Sequence, residues 1–137
     1  IPTSLDDLMK ILAKAAKKGK KVKPIGSLHS WSGCAAINDG IAIRLDHFNK
    51  VITVDREKMQ ITAEAGIILK DLYARLDEEK WALSSLPNVN CITLGGAIAN
   101  VTHGTCIKVG TFCDLVQALK IIVVRDGKPE MLDLRRD

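Results

Sequence analysis

The spacing of apolar side chains predicts two helices in the first two-thirds of the chain. Over residues 5–16, apolar residues recur every three to four positions, as on one face of an amphipathic helix. Ser4 stands at the expected N-cap with Asp7 three residues later, and Gly19 provides a stop signal. A second stripe of the same spacing predicts another helix over residues 69–80.

Shorter apolar runs between turn signals predict strands. A polar connection between two such runs indicates one hairpin, and Asp126-Gly127 is the strongest hairpin signal in the chain. The predicted strands are residues 22–25, 41–45, 51–54, 60–63, 115–124 and 131–134. Helices and strands follow one another without βαβ alternation and without a repeat, so we predict an α+β fold with a partly antiparallel sheet.

Length and composition are those of one globular domain. The chain has 137 residues, of which 47% are hydrophobic and 26% charged, which excludes a disordered or collagen-like chain. The sequence has neither an apolar run of the length of a membrane span nor a signal-peptide pattern. It begins with Ile1 in place of Met, so we expect a processed or excised piece, and a removed targeting segment stays open.

The net charge of +4 comes from one segment near the amino terminus. Residues 1–24 contain seven Lys and two Asp, and most of these Lys fall within 17–23. A basic segment can contact nucleic acid, but this one has no aromatic residue for base stacking. The alternative, which we favour, is a solvated helix end whose Lys side chains complement the helix dipole.

The four cysteines, Cys34, Cys91, Cys106 and Cys113, form no C-x-x-C pair, and the three histidines are scattered. This distribution argues against a metal site, so we predict none. We expect buried thiols, which favour a reducing compartment such as the cytoplasm.

Two glycine-containing loops are candidates for binding an anion. Gly26 follows a predicted strand and opens a row of small polar residues, where Ser27, Ser30 and backbone amides could converge on a phosphate. Gly95 and Gly96 open a small-residue run that could begin a short helix with free amides. Neither loop is a P-loop or a G-x-G-x-x-G fingerprint, so a structural turn is the alternative for each.

Two histidines lie in similarly tight loops. His29 lies two residues before Trp31, where a cofactor ring could pack, and His103 lies between Thr102 and Gly104. The alternative for each is a turn histidine bonded to the backbone. A Ser-His-Asp order with a nucleophile elbow is absent from the sequence, so a hydrolase triad has no support.

Several ordered motifs together resemble one family. They are IGSLHSWS at 25–32, DG at 39–40, VD at 54–55, TAEAGI at 62–67, LSSLP at 83–87, TLGG at 93–96 and THGT at 102–105. The sequence resembles the flavin-dependent sugar-lactone and alditol oxidases, such as gulonolactone, arabinonolactone and alditol oxidase. The resemblance covers nearly the whole chain and implies an FAD-binding domain of the vanillyl-alcohol-oxidase (PCMH) type, with mixed sheets flanked by helices.

The resemblance also implies the residues that contact FAD. Many members attach the flavin 8α-methyl carbon covalently to a histidine at the position of His29, although some relatives lack that histidine. Asn90 is similar in position to residues on the substrate side of the flavin. The implied FAD-binding residues are Gly26, Ser27, Leu28, His29, Ser30, Trp31, Thr93, Gly95, Gly96, Asn100, Thr102, His103, Gly104 and Thr105.

Two departures from the family bear on function. Leu28 stands where many members have glycine before the histidine. Members also continue into further FAD contacts and a substrate-covering domain, so residues 1–137 resemble the amino-terminal part of the FAD domain. The catalytic acid and base residues stay unassigned, and we expect this chain to be inactive alone. We also expect its apolar strands to be exposed or covered by another chain or segment.

Three functions therefore remain open on the sequence. The first is the FAD-binding portion of an oxidoreductase that oxidises a CH–OH group of a sugar lactone or polyol. The second is an inactive fragment or subunit that binds flavin or another protein. The third, a basic nucleic-acid module, is disfavoured by the absence of aromatic residues at 17–23. Membrane association is undetermined by the sequence.

Overall fold

The computed structural model describes residues 1–136 and has the predicted α+β architecture. The helices are α1 (Leu5–Lys17), α2 (Leu69–Glu78) and α3 (Leu94–Ala99). The strands are β1 (Lys21–Ile25), β2 (Gly40–Arg44), β3 (Val51–Asp55), β4 (Gln60–Ala63), β5 (Ala118–Arg125) and β6 (Lys128–Arg135). Short 3₁₀ turns span Gly33–Ala35 and Phe112–Leu115. Within these residues, each helix is too short or too polar to cross a membrane.

The strands form three two-stranded sheets. β1 and β2 pair in parallel, so the chain between them crosses over and carries the 26–32 loop. The pairs β3–β4 and β5–β6 are antiparallel hairpins, as predicted from the turn signals. The sheet is thus divided into three pieces, where the sequence predicted one partly antiparallel sheet.

Helix α1 begins and ends where its flanking residues predict. The Asp7 amide donates to Ser4 Oγ at 3.2 Å, and Gly19 has φ of +59°, the left-handed conformation that glycine adopts without steric cost. Thr3 donates to the Asp7 carboxylate from both its hydroxyl and its amide, which lowers the pKa of Asp7. Lys14 and Lys17 lie in the last turn, where their charge complements the helix dipole.

The main core lies between α2, α3 and the β3–β4 hairpin. Its buried members are Ile67, Leu69, Leu72, Leu76, Ala97 and Phe112. Apolar residues of β3 and β4, including Val51 and Ile61, pack against it. Helix α1 contacts β1, β5 and β6 instead, and its Ala15 is buried there. Through Ala97, helix α3 forms part of this core.

The predicted strand 115–124 begins later than expected. Phe112–Leu115 is a 3₁₀ turn, in which Thr111 and Asp114 bond each other's backbone and side chain as a capping box. These local bonds hold Leu115 out of the sheet, because Ser, Thr, Asn and Asp side chains compete with strand ladders for backbone groups. The same bonds lower the pKa of Asp114, with the Thr111 hydroxyl as the largest cause.

The β5–β6 hairpin has apolar side chains on both of its faces. Its turn residues Asp126 and Gly127 have φ of 49° and 74°, as a two-residue turn between twisted strands requires. On one face Leu119 pairs with Leu134, and these side chains are 38% and 46% exposed. On the other face Met131 is 49% exposed. The exposed apolar strands expected from the sequence are therefore present in this hairpin.

An ion-pair network joins the β3–β4 turn to the end of α2. Arg56 Nε and Nη2 donate to the two carboxylate oxygens of Glu79 at 2.7 and 2.8 Å, and Arg75 donates to Glu79 at 3.0 Å. The Arg56 guanidinium is the largest cause of a lowered Glu79 pKa, with Arg75 acting in the same direction. The network therefore stabilises the fold while Glu79 is ionised.

We predict that Glu79→Gln lowers the free energy of unfolding at neutral pH and leaves it nearly unchanged in acid. A carboxylate whose pKa is depressed by folding contributes stability above its unfolded pKa and loses it as pH falls through the folded pKa. Urea unfolding of both proteins from about pH 7 to about pH 3 measures the difference. Glu57→Gln in the same turn is the control, and an equal loss at all pH values would contradict the prediction.

Candidate functional site

The 26–32 loop is exposed and supplies backbone donors. It follows β1 and leads into the 3₁₀ turn, and its residues from Ser27 to Ser32 are all exposed. Within residues 1–136, the amides of 27–32 have no hydrogen-bond acceptor from the protein. Trp31 is fully exposed beside them. The loop thus presents the unused N–H groups and hydroxyls that the sequence predicted for anion binding, beside an exposed aromatic ring.

Leu28 adopts a conformation that suits glycine. Its φ is +60°, in the left-handed region, where an L side chain costs roughly 1–2 kcal/mol. The side chain is 62% exposed, so burial of Leu28 within the chain does not offset this cost. Leu28 in place of glycine therefore leaves the path of the loop intact but strains the backbone at this residue.

The second glycine loop forms the predicted short helix, α3, but the expectation of free amides at its start is wrong. Thr93 caps α3 by accepting from the Gly96 amide at 3.1 Å. The Leu94 and Gly95 amides donate to the carbonyls of Ile67 and Ala65, both at 2.8 Å. These amides are used inside the protein because α3 sits directly on the core. The run of small residues serves close packing, and an added Cβ at Gly95 would lie 3.1 Å from Ala65.

Segment 86–93 brings the two glycine loops together. An added Cβ at Gly26 would lie 2.4 Å from Thr93 Oγ1, and His29 Nε2 lies 3.1 Å from Cys91 Sγ. At its other end the segment meets the third motif, because an added Cβ at Gly104 would lie 2.5 Å from the Leu86 carbonyl oxygen. Residues separated by more than sixty positions thus form one continuous surface.

The remaining predicted site residues divide into bonded and exposed groups. Asn100 ends α3, and its side-chain amide donates to the Gly96 carbonyl at 3.0 Å. Thr102 is held by backbone bonds to Ala97 and Phe112. The His103 ring bonds the Gly104 carbonyl at 2.9 Å, as a turn histidine does, whereas the His29 ring bonds the Cys91 thiol. Thr105 and Asn90 are exposed.

The cysteines are not buried, which corrects the expectation from the sequence. Cys34, Cys91 and Cys106 are exposed, and Cys113 is half-buried with its thiol bonded to the Ile98 carbonyl. Cys34 lies beside the hydroxyls of Ser30 and Ser32, which lower the pKa of its thiol. Cys91 and Cys106 lie in loops, and Cys34 and Cys113 lie in 3₁₀ turns, where apolar packing does not enclose them fully. The argument from buried thiols to a reducing compartment therefore has no structural basis.

Residues 1–132 match a protein family described as an FAD binding domain. The match includes the 26–32 loop, segment 86–93 and α3. The chain belongs to the FAD binding domain family. The exposed amides of the 26–32 loop are consistent with this membership, since phosphate-bearing cofactors bind such turns.

Curated relatives of the chain are sugar-lactone oxidases and dehydrogenases. L-Gulonolactone oxidase of Mus musculus is 44% identical over 121 residues, which cover 88% of this chain and 27% of the relative. L-Gulono-1,4-lactone dehydrogenase of Mycobacterium tuberculosis is 31% identical over 121 residues, covering 88% of this chain and 28% of the relative. The chain therefore spans about a quarter of the length of these enzymes.

Solved structures show the same fold. Cholesterol oxidase from B. sterolicum superposes with a TM-score of 0.84 at 21% identity, covering 98% of this chain and 28% of that one. An alkyldihydroxyacetonephosphate synthase superposes with a TM-score of 0.75 at 23% identity, covering 96% and 27%. These similarities confirm the predicted α+β fold, which the family match over residues 1–132 assigns to an FAD-binding domain.

The residues of the site fit an FAD cofactor. Free amides at 27–32 suit the pyrophosphate, and Gly26 lets the Thr93 side chain approach the backbone of the loop closely. Exposed Leu28 and Trp31 offer apolar area for a flavin ring. Cys91 and Leu86, which contact His29 and Gly104, were not among the predicted site residues. The only signal for Cys91 was its position two residues before the Thr93 cap.

Proposed function

We propose that this chain is the FAD-binding portion of an oxidoreductase that oxidises a CH–OH group of a sugar lactone or polyol. The observation that carries the proposal is the surface formed by the 26–32 loop and segment 86–93, where free amides meet His29 and Thr93. The 44% identity to L-gulonolactone oxidase supports a lactone as the substrate. When bound, the flavin supplies the acceptor for a hydride from the substrate carbon.

Different residues of the site contact different parts of the cofactor. The amides of 27–32 and the hydroxyls of Ser27 and Ser30 hold the pyrophosphate. Gly26, Thr93, Gly95 and Gly96 form the wall on which the cofactor lies. Residues 102–105 extend that wall, because Gly104 packs against Leu86 at the far end of segment 86–93.

His29 is the proposed attachment point of the flavin. A neutral imidazole is a nucleophile near physiological pH, and His29 is exposed at the end of the surface where Trp31 can pack against a ring. The covalent bond would keep the cofactor in place and tune its potential, which is the protein's part in flavin chemistry.

Substrate turnover requires parts that the full-length relatives contain outside the matched residues. The chain corresponds to 27% of L-gulonolactone oxidase, and the proposed site contains no residue assigned to proton removal. We propose that the remainder of the enzyme covers the exposed β5–β6 hairpin, whose Leu119 and Leu134 are otherwise in solvent. The occupant is the rest of the FAD domain, in the same polypeptide or as another chain.

Reconstitution with FAD tests this proposal. After incubation with FAD and gel filtration, we expect the chain to retain the visible absorbance bands of flavin and to show no lactone oxidation. Free FAD and heat-denatured chain are the controls. A chain that elutes without flavin would overturn the proposed function and favour a protein-interaction module. Lactone turnover by this chain alone would contradict the proposal that turnover requires the remainder of the enzyme.

A further inference from the structure

The Lys23 side chain connects the two ends of the 26–32 loop, and the proposed function does not use it. Lys23 lies in β1, three residues before Gly26, and its ammonium donates to the carbonyls of Cys34 and Ala36 at 2.6 and 2.8 Å. Cys34 lies in the 3₁₀ turn that follows the loop, and Ala36 ends that turn. A side chain that precedes the loop is therefore bonded to the backbone that follows it.

The path of the loop depends on contacts of this kind at its ends. Within residues 1–136, the amides of 27–32 have no acceptor from the protein, so these amides do not fix the loop from inside. At the beginning of the loop Gly26 abuts Thr93, and at its end the turn is bonded to Lys23. Loss of the Lys23 bonds would free the end of the loop that leads into the 3₁₀ turn.

The bonded turn also carries a side chain that faces the loop. The Cys34 thiol lies beside the hydroxyls of Ser30 and Ser32, which lower its pKa, and the charge of Lys23 acts in the same direction. Ser30 is one of the two residues whose hydroxyls are proposed to hold the pyrophosphate. A displacement of Cys34 would therefore change the surroundings of Ser30.

An ammonium group is well suited to this position. It has three donors and no acceptor, and a hydrogen bond from a charged donor is about twice as strong as a neutral one. Lys23 is half-buried, so water competes less for these bonds than it would at an exposed lysine. The two bonds therefore restrain the turn more firmly than a neutral side chain would.

We propose that Lys23 is a positioning residue that fixes the path of the 26–32 loop before FAD binds. The restraint on the loop does not depend on FAD, whereas its effect on affinity rests on the proposed function. A loop that is already ordered loses less conformational entropy when the cofactor binds, so the affinity for FAD is higher.

Three variants separate the hydrogen bonds of Lys23 from its charge. Lys23→Met keeps the length of the side chain and removes its donors and charge, whereas Lys23→Arg keeps both. Lys21→Met removes one charge two residues earlier on the same face of β1 and is the matched control. In FAD titrations we expect Lys23→Met to bind about tenfold more weakly than the wild type. The other two variants should bind within about threefold of the wild type.

Backbone ¹⁵N relaxation of the chain without FAD measures the restraint on the loop by itself. We expect the order parameters of 27–36 to fall in Lys23→Met and to keep their wild-type values in Lys23→Arg and Lys21→Met. If Lys23→Met does not fold, reductive methylation of the wild type decides. We expect the bonded Nζ of Lys23 to be methylated more slowly than the Nζ of exposed Lys21.

Three results would overturn the inference: unchanged order parameters in Lys23→Met, methylation of Lys23 as fast as that of Lys21, or an equal loss of affinity in Lys21→Met and Lys23→Met. The last result would show that only the charge of the segment matters. A wild type that does not bind FAD would overturn the proposed function, and the order parameters would still decide whether Lys23 restrains the loop.

Discussion

Gly26→Ala is expected to lower the affinity of the chain for FAD by about tenfold or more. The added Cβ would lie 2.4 Å from Thr93 Oγ1, closer than real contacts allow, so the two loops must separate. Separation breaks the wall of the proposed site and disturbs the Thr93 bond to Gly96 that caps α3. Overpacking of this kind typically costs about 1–3 kcal/mol of unfolding free energy. Flavin fluorescence titration and urea unfolding measure the two effects.

Two matched variants show whether the loss comes from this contact. At Gly33, seven residues further along, an added Cβ would meet no atom within 4 Å, so Gly33→Ala should bind FAD like the wild type. Gly26→Ala combined with Thr93→Ala removes the clashing hydroxyl and should recover part of the affinity lost in Gly26→Ala. Equal binding by Gly26→Ala and the wild type would show that FAD does not lie on this surface.

His29→Ala is expected to abolish covalently bound flavin completely while leaving reversible FAD binding. His29 is the nucleophile proposed for the bond, and its exposed ring has no role in the buried core. The amides of 27–32 do not depend on its side chain, so the cofactor should still bind in solution. A denaturing gel viewed under ultraviolet light in acid detects flavin that stays on the polypeptide.

His47→Ala is the control for this experiment. His47 is exposed in the connection between β2 and β3, outside the proposed site, so its variant should keep the fluorescent band of the wild type. A band that persists in His29→Ala would place the attachment elsewhere. If the wild type carries FAD but shows no fluorescent band, the chain binds FAD only reversibly.

The elements of this fold were predictable where the signal was local. The apolar stripe and caps of α1 and the Asp126-Gly127 turn are read from neighbouring residues, and the structure confirms both. The beginning of β5 was not predictable in this way, because the Thr111–Asp114 capping box overrides the strand preference of Leu115. The parallel pairing of β1 with β2 depends on a crossover that strand spacing alone does not specify.

The site was predictable in parts but not as a whole. The glycine loops and His29 were found from residue types, and the family resemblance assigned them to one FAD-binding site. That Gly26 touches Thr93 and that His29 touches Cys91 follows from tertiary packing across more than sixty residues, which periodicity cannot reveal. The same packing uses the first amides of α3, which a sequence pattern of small residues suggested would be free.

The proposed function requires FAD to bind the surface formed by the 26–32 loop and segment 86–93. Amide hydrogen exchange of the chain with and without FAD tests it most directly, because the amides of 27–32 have no acceptor within residues 1–136 while those that open α3 are already bonded. We expect FAD to slow exchange at 27–32 and to leave exchange in the β5–β6 hairpin unchanged. Unchanged exchange at 27–32, or protection confined to the basic segment 17–23, would contradict it.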